Sequence, residues 1–193
     1  MAKTGMRYVV AARLKQENEG ALPTYEEGMV IGRGISAEVS LTRAESSLYA
    51  DDVLAESENA ITGGTISVGM DDILEQAQEL VFGLVRTGEE GDYEYDDKAV
   101  GAPYIGLGYL QERRYKGVTS YLPWWYYKVQ FAPVDDKAQT RGEQVEWQTV
   151  VASGTMMGVV KDDSQIATFR THKVCATAAE GIAWLNKMAG ITA

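Results

Sequence analysis

The sequence predicts a mainly β (α+β) fold, an antiparallel β-sandwich or barrel with one central packed helix, a C-terminal helix and long loops. Three observations predict it. Apolar and polar residues alternate through most periodic segments, the signature of strands with one wet face. Just two segments switch to helical spacing. Three polar, glycine-bearing stretches then separate the periodic runs. A length of 193 residues suits a single domain over 1–193, and 45% hydrophobic residues are enough for a substantial core.

Taken along the chain, a short strand is expected over 7–14, then a polar loop over 17–27 with Gly20 and Pro23. Ile35, Ala37, Val39 and Leu41 alternate with Ser36, Glu38, Ser40 and Thr42 in a half-buried strand. The stretch 44–64 is long, acidic and poor in periodicity, and reads as a loop. Ile66, Val68 and Met70 resume the alternation. Over 71–85, Ile73, Leu74, Ala77, Leu80, Val81 and Leu84 form one helical stripe, with Asp72 and Glu75 as the capping pair. The acidic stretch 87–103, with Tyr93 and Tyr95, reads as a further loop. Structureless loops beyond about 12–15 residues are uncommon in compact domains and usually serve binding.

Strands return over 104–112 and in the aromatic segment, where Trp125, Tyr127, Val129 and Phe131 are placed on one core face. Trp124 and Tyr126 then lie on the opposite face, which a helix or another subunit has to cover. Val145, Trp147, Thr149 and Val151 alternate in a further strand, and a short one follows over 165–173. Thr177 and Glu180 make a capping box for a helix over 177–189. Ile182, Leu185 and Met188 are its apolar stripe, and Gly190 is placed to end it.

No catalytic, cofactor-binding or metal-ligating residue is predicted. His172 is the one histidine and Cys175 the one cysteine, three positions apart and on opposite faces of a continuing strand. They do not make a catalytic dyad, and they fall short of a four-ligand zinc site. Five Asp-Asp pairs, among them Asp71-Asp72 and Asp135-Asp136, lack the spacing of a calcium loop and read as turns or caps. Gly32-Arg33-Gly34 and Gly106-Leu107-Gly108 open no helix, so they read as bends or close backbone approaches, not as phosphate loops.

The formal charge of −10 argues against gripping nucleic acid, although it is compatible with a surface that DNA slides past. No apolar run is long enough to span a membrane, and the N-terminal residues lack a signal-peptide pattern, so synthesis in the cytoplasm is expected.

The order of several segments resembles the major tail (tail tube) proteins of long-tailed siphophages, particularly those of Gram-positive hosts. The resemblance runs from about Tyr8 to Thr155. It is carried by Leu48-Tyr49-Ala50-Asp51-Asp52, by Gly63-Gly64-Thr65-Ile66-Ser67-Val68-Gly69 and by Ala102-Pro103-Tyr104-Ile105-Gly106-Leu107-Gly108-Tyr109. Trp125-Tyr126-Tyr127-Lys128-Val129-Gln130-Phe131 and Thr140-Arg141-Gly142-Glu143 complete it.

The resemblance implies a structural virion subunit with no enzymatic activity. Hexameric rings would stack into a tube that conducts the genome. The implied partners are further copies of the chain, a tape measure protein in the lumen, and terminator and distal tail proteins. DNA would pass without specific binding, and no cofactor is implied. Leu48, Tyr49, Asp51 and Asp52 become the candidate inter-ring contact, and Trp124 and Tyr126 a candidate aromatic surface between subunits. The segment after Met156 departs from the resemblance as a variable part, so the C-terminal helix is expected at the periphery.

Two other readings are a single-ring tail terminator or adaptor protein, and a carbohydrate-binding sandwich using Trp124, Trp125 and Tyr126 as a stacking platform.

Overall fold

The computed structural model describes residues 2–17, 20–50, 53–89, 92–96, 101–133, 149–161 and 167–191. Its elements run β1 (Ala2–Gln16), β2 (Thr24–Gly32), β3 (Gly34–Ala50), β4 (Val53–Met70), α1 (Glu75–Phe82), β5 (Val85–Glu89) and β6 (Asp92–Asp96). There follow β7 (Ile105–Tyr115), β8 (Val118–Phe131), β9 (Val150–Met157), β10 (Val159–Val160), β11 (Ala167–Thr168), β12 (Arg170–His172) and α2 (Ala178–Ala189). The main sheet is antiparallel in the order β2-β1-β7-β8-β9-β4-β3, with β12 added to β8. The mainly β architecture with two helices is therefore as the sequence predicts.

Arg33 alone separates β2 from β3, yet these strands lie at the two ends of the sheet order. The sheet must therefore curl until its ends meet at that corner. Gly34 is required there, because a Cβ would stand 2.8 Å from both Met6 Cε and Val9 Cγ2 of β1. Asp71 pins the corner from β4's end. Its Oδ1 accepts the Arg33 N–H at 3.1 Å, its own N–H donates to the Arg33 carbonyl at 3.1 Å, and the guanidinium pairs with Oδ2 at 2.7 Å.

Desolvation raises the Asp71 pKa, but the backbone N–H groups and the Arg33 charge lower it by more, so it sits below the usual carboxylate value. A depressed folded-state pKa adds stability above the unfolded value near 4, and that stability is lost as pH falls through the folded value. Thermal melts across acid pH should therefore show a steeper loss below about pH 4 in the parent chain than in Asp71→Asn. Superimposable profiles would remove Asp71 from the acid response.

A second corner lies in β8. Ile105 pairs with Val129 but Leu107 with Tyr126, so β8 carries one more residue than β7 across this step, a β-bulge. The bulge reverses the facing of the strand. Trp125 and Tyr127 point to one side, whereas Val129 and Phe131 join Tyr126 in the interior of the curled sheet. The expectation of a single face for Trp125, Tyr127, Val129 and Phe131 is thus corrected.

The interior is filled by Val9, Ile31, Ile66, Val68, Leu107 and their neighbours, together with Ala77, Leu80, Val81 and Phe82 of α1. The helix is shorter than the stripe over 71–85 predicts. It is preceded by Leu74 with no side-chain cap, because Asp71 is engaged at the corner and Asp72 Oδ1 accepts from the adjacent Ile73 N–H.

The second core lies on the outer side of β1, β7 and β8, under α2. Leu185 and Ala189 pack with Val10, Ala12, Leu110, Trp125 and Tyr127. This helix is not peripheral. It begins as the sequence predicts, with Thr177 Oγ1 accepting from the Glu180 N–H at 3.2 Å, and Gly190 closes it at φ 71°. Val9 to Ala12 are all buried because β1 has a covered face on each side.

Two of the expected loops are hairpins. Residues 44–50 and 53–64 belong to β3 and β4, which pair as far as Ala50 with Val53, and 87–103 contains most of β5 and β6. Alternation fails in the first because Thr42, Arg43, Ala44 and Glu45 are all exposed, as are Ala60, Ile61 and Thr62. With both faces wet at these positions, neither is selected there for apolar residues. Of the expected strand at Val145, Trp147, Thr149 and Val151, Val151 falls in β9, in which Ala152 and Met156 face the core and Val151 is 54% exposed. Residues 145–148 lie outside the described residues.

Candidate assembly surface

β4 pairs with β9 from Gly64 to Met70, whereas β3 and β4 continue pairing with each other from Arg43–Ile61 to Ala50–Val53. At about 3.3 Å per residue this two-stranded arm extends roughly 25 Å beyond the sheet. Among the described residues nothing pairs with its outer edges, nor with the outer edge of β3 where it borders the body of the protein. Ile35, at the start of that edge, is 55% exposed. Unpaired strand edges are templates for another strand.

Leu48 and Tyr49, predicted as contact residues, sit in the arm, with Leu48 across from Glu56 and Tyr49 across from Leu54. Asp51 and Asp52 lie outside the described residues. The body of the sheet beside the arm has an outer face of small hydroxyl residues. Ser36, Gly69 and Val151 are in register across β3, β4 and β9, followed by Glu38, Ser67 and Ser153, and then Ser40, Thr65 and Thr155. Ser67 and Ser153 share a hydroxyl hydrogen bond at 3.0 Å. None of these nine positions holds a lysine or arginine.

The aromatic residues expected at a surface are largely interior. Tyr126 is 1% exposed, with its hydroxyl 3.1 Å from that of Tyr109, so it is a core residue and not a contact between subunits. Trp125 is fully buried under α2. Two of the three rings of the sugar-stacking platform are therefore inside the chain. Trp124 is half-buried, with the His172 ring 4.3 Å away and the Arg170 guanidinium 5.2 Å from its ring. β12 brings both partners there by pairing with β8.

Cys175 is buried and bridges Tyr121 through two backbone hydrogen bonds, of 2.8 and 2.9 Å. Burial pushes its thiol pKa up, away from the thiolate. Among the described residues no three His, Cys, Asp or Glu side chains gather as a metal site, and no helix is long and apolar enough to cross a membrane. The Arg33–Asp71 corner was not visible as a site from the sequence. The one hint was an arginine between two glycines.

No protein-family model matches the chain, and no curated protein matches it.

Proposed function

We propose that this chain is a structural subunit that assembles with copies of itself into rings stacked as a tube, a tail tube protein serving genome delivery from a virion. The observation that carries the reading is the arm of β3 and β4, a paired ribbon with open edges that leaves the body of the protein. An isolated two-stranded ribbon is marginal in water, so an arm of this length is suited to a partner. The open edge of β3 provides for side-by-side joining of sheets into a ring. The hydroxyl-rich outer face of β3, β4 and β9 offers no cation to hold a phosphate backbone, which fits a wall that DNA slides past. The resemblance of several segments, in their order, to siphophage tail proteins points the same way. Hexameric rings, a tape measure protein in the lumen and terminator and distal proteins at the ends are the partners this reading entails.

Negative-stain microscopy and native mass measurement of the purified chain test it. Rings and stacked tubes are expected. A monomer at every concentration and salt condition overturns the tube, and discrete rings that never stack would assign the chain to a terminator or adaptor instead.

A further inference from the structure

Three non-glycine residues among those described have positive φ. Lys116, at 48°, sits in the β7–β8 turn, where such values are ordinary. Tyr8 at 58° and Glu27 at 55° lie inside strands, where a side chain at this φ is strained. Each marks a bulge. Arg7 pairs with Leu110 but Val10 with Gly108, so β1 holds one residue more than β7 over this step. Ala11 pairs with Met29 but Arg13 with Glu26, so Glu27 and Gly28 of β2 stand against Ala12 alone.

Both bulges lie beneath the second half of α2. The Tyr8 hydroxyl donates to Asn186 Oδ1 at 2.6 Å, and Tyr8 packs against the core that holds Leu185 and Ala189. At Gly28 the end of the helix comes so near that a Cβ would stand 2.2 Å from the Ala189 carbonyl oxygen and 2.9 Å from Ile191 Cγ1. Strained backbone persists where surrounding contacts over-determine it, and one helix supplies contacts at both of these sites.

We infer that α2 is a latch: it docks by holding β1 and β2 in these two strained bulges, so the helix and the bent end of the sheet lock and release together. When α2 leaves, β1 and β2 lose the contacts that enforce positive φ and relax toward straighter pairing. β2 is one end of the sheet order, and a bulge turns an edge strand away from pairing with further strands. The latch thus keeps β2 bent, while β3, whose register with β4 is unbroken from Ser36 to Thr42, is the straight edge. By reciprocity, whatever straightens β2 loosens α2. The latch is a property of the single chain and does not depend on how copies assemble.

Amide hydrogen exchange on the full-length chain tests the latch, with two variants in β2 that leave α2 itself unchanged. In the parent, the amides from Leu185 to Ala189 and those from Tyr8 to Val10 should share one level of protection, below that of Ile66 and Val68 in β4. Glu27→Gly relieves the strain, since glycine is at ease at positive φ, and it gives up an exposed ion pair with Arg13 that is worth little. The α2 amides should then exchange at least about fivefold more slowly, the reverse of the usual effect of glycine within a strand. Gly28→Ala sets a methyl group against the Ala189 carbonyl, and should speed exchange about tenfold in α2 and equally from Tyr8 to Val10. Unchanged or faster α2 exchange in Glu27→Gly overturns the latch, because the helix then holds no strain there. So does α2 exchange in Gly28→Ala that is unchanged, or that rises while Tyr8 to Val10 stay as they were, which makes the helix a lid on an indifferent sheet. If Gly28→Ala unfolds the whole chain, Ile66 and Val68 lose protection as well, and Glu27→Gly alone decides.

Discussion

Replacing Trp125 with alanine is expected to lower unfolding stability by about 3–5 kcal/mol, the usual cost of emptying a fully buried aromatic site. Domains of this kind rarely exceed about 15 kcal/mol in total, so the change removes a large share. The site cannot collapse easily. Trp125 lies across two glycines of β7, and a Cβ at Gly106 or Gly108 would stand 2.3 Å or 2.7 Å from its ring. Tyr25 meets it edge-on with centroids 5.1 Å apart and is itself tied down by its hydroxyl donating to the Tyr127 carbonyl at 2.7 Å. Leu185 of α2 closes the other side.

The buried indole N–H faces the Tyr25 hydroxyl without a well-formed hydrogen bond among the described residues, and a buried donor left unsatisfied costs about 1–3 kcal/mol. Trp125→Phe removes that donor along with part of the ring, so it should cost clearly less than alanine. Denaturant midpoints at unchanged slope provide the measurement. A loss below about 1 kcal/mol for the alanine variant would mean that α2 and the sheet beneath it do not unfold together.

The second large effect falls on assembly and spares the fold. Joining Thr42 to Gly63 through an Asn-Gly turn deletes the arm and keeps the register in which Thr42 pairs with Gly63. Among the described residues of β4 the buried positions begin at Gly64 and Ile66, beyond the deletion, so stability should stay within about 1 kcal/mol of the parent. Rings and tubes should be absent at concentrations where the parent forms them. A shortened chain that still makes tubes would show the arm to be dispensable and remove the main support for the proposed function. The contrast with Trp125→Ala is useful, since that variant perturbs the core and this one perturbs the contact between copies.

The two variants also mark where sequence reasoning succeeds and where it stops. Ile66, Val68 and Met70 are buried as their alternation predicts, because β4 there has one covered face. The capping box of α2 forms because its signal is local, three residues apart in the chain. Leu48 and Tyr49 fall on the arm, although the sequence there reads as a loop, since the residues at its base, Thr42 to Glu45 and Ala60 to Thr62, are exposed on both faces and leave no period to detect. The sequence places Tyr126 on a possible surface because one strand considered alone cannot report what lies over its second face.

The sequence by itself determined the mainly β class, the two helices, the start and end of α2 and the acidic character of the arm, all properties carried by neighbouring residues. Tertiary structure alone decided that β8 reverses its facing at a bulge, that α2 covers a second core and that Arg33 with Asp71 closes the curled sheet. The physical reason is distance along the chain. Arg33 and Asp71 are joined by backbone and charge across the whole β3–β4 hairpin, and the extra residue of β8 has meaning just in its register with β7. Periodicity registers whether a face is wet or dry, but which partner makes it dry is set by contacts that no local pattern contains.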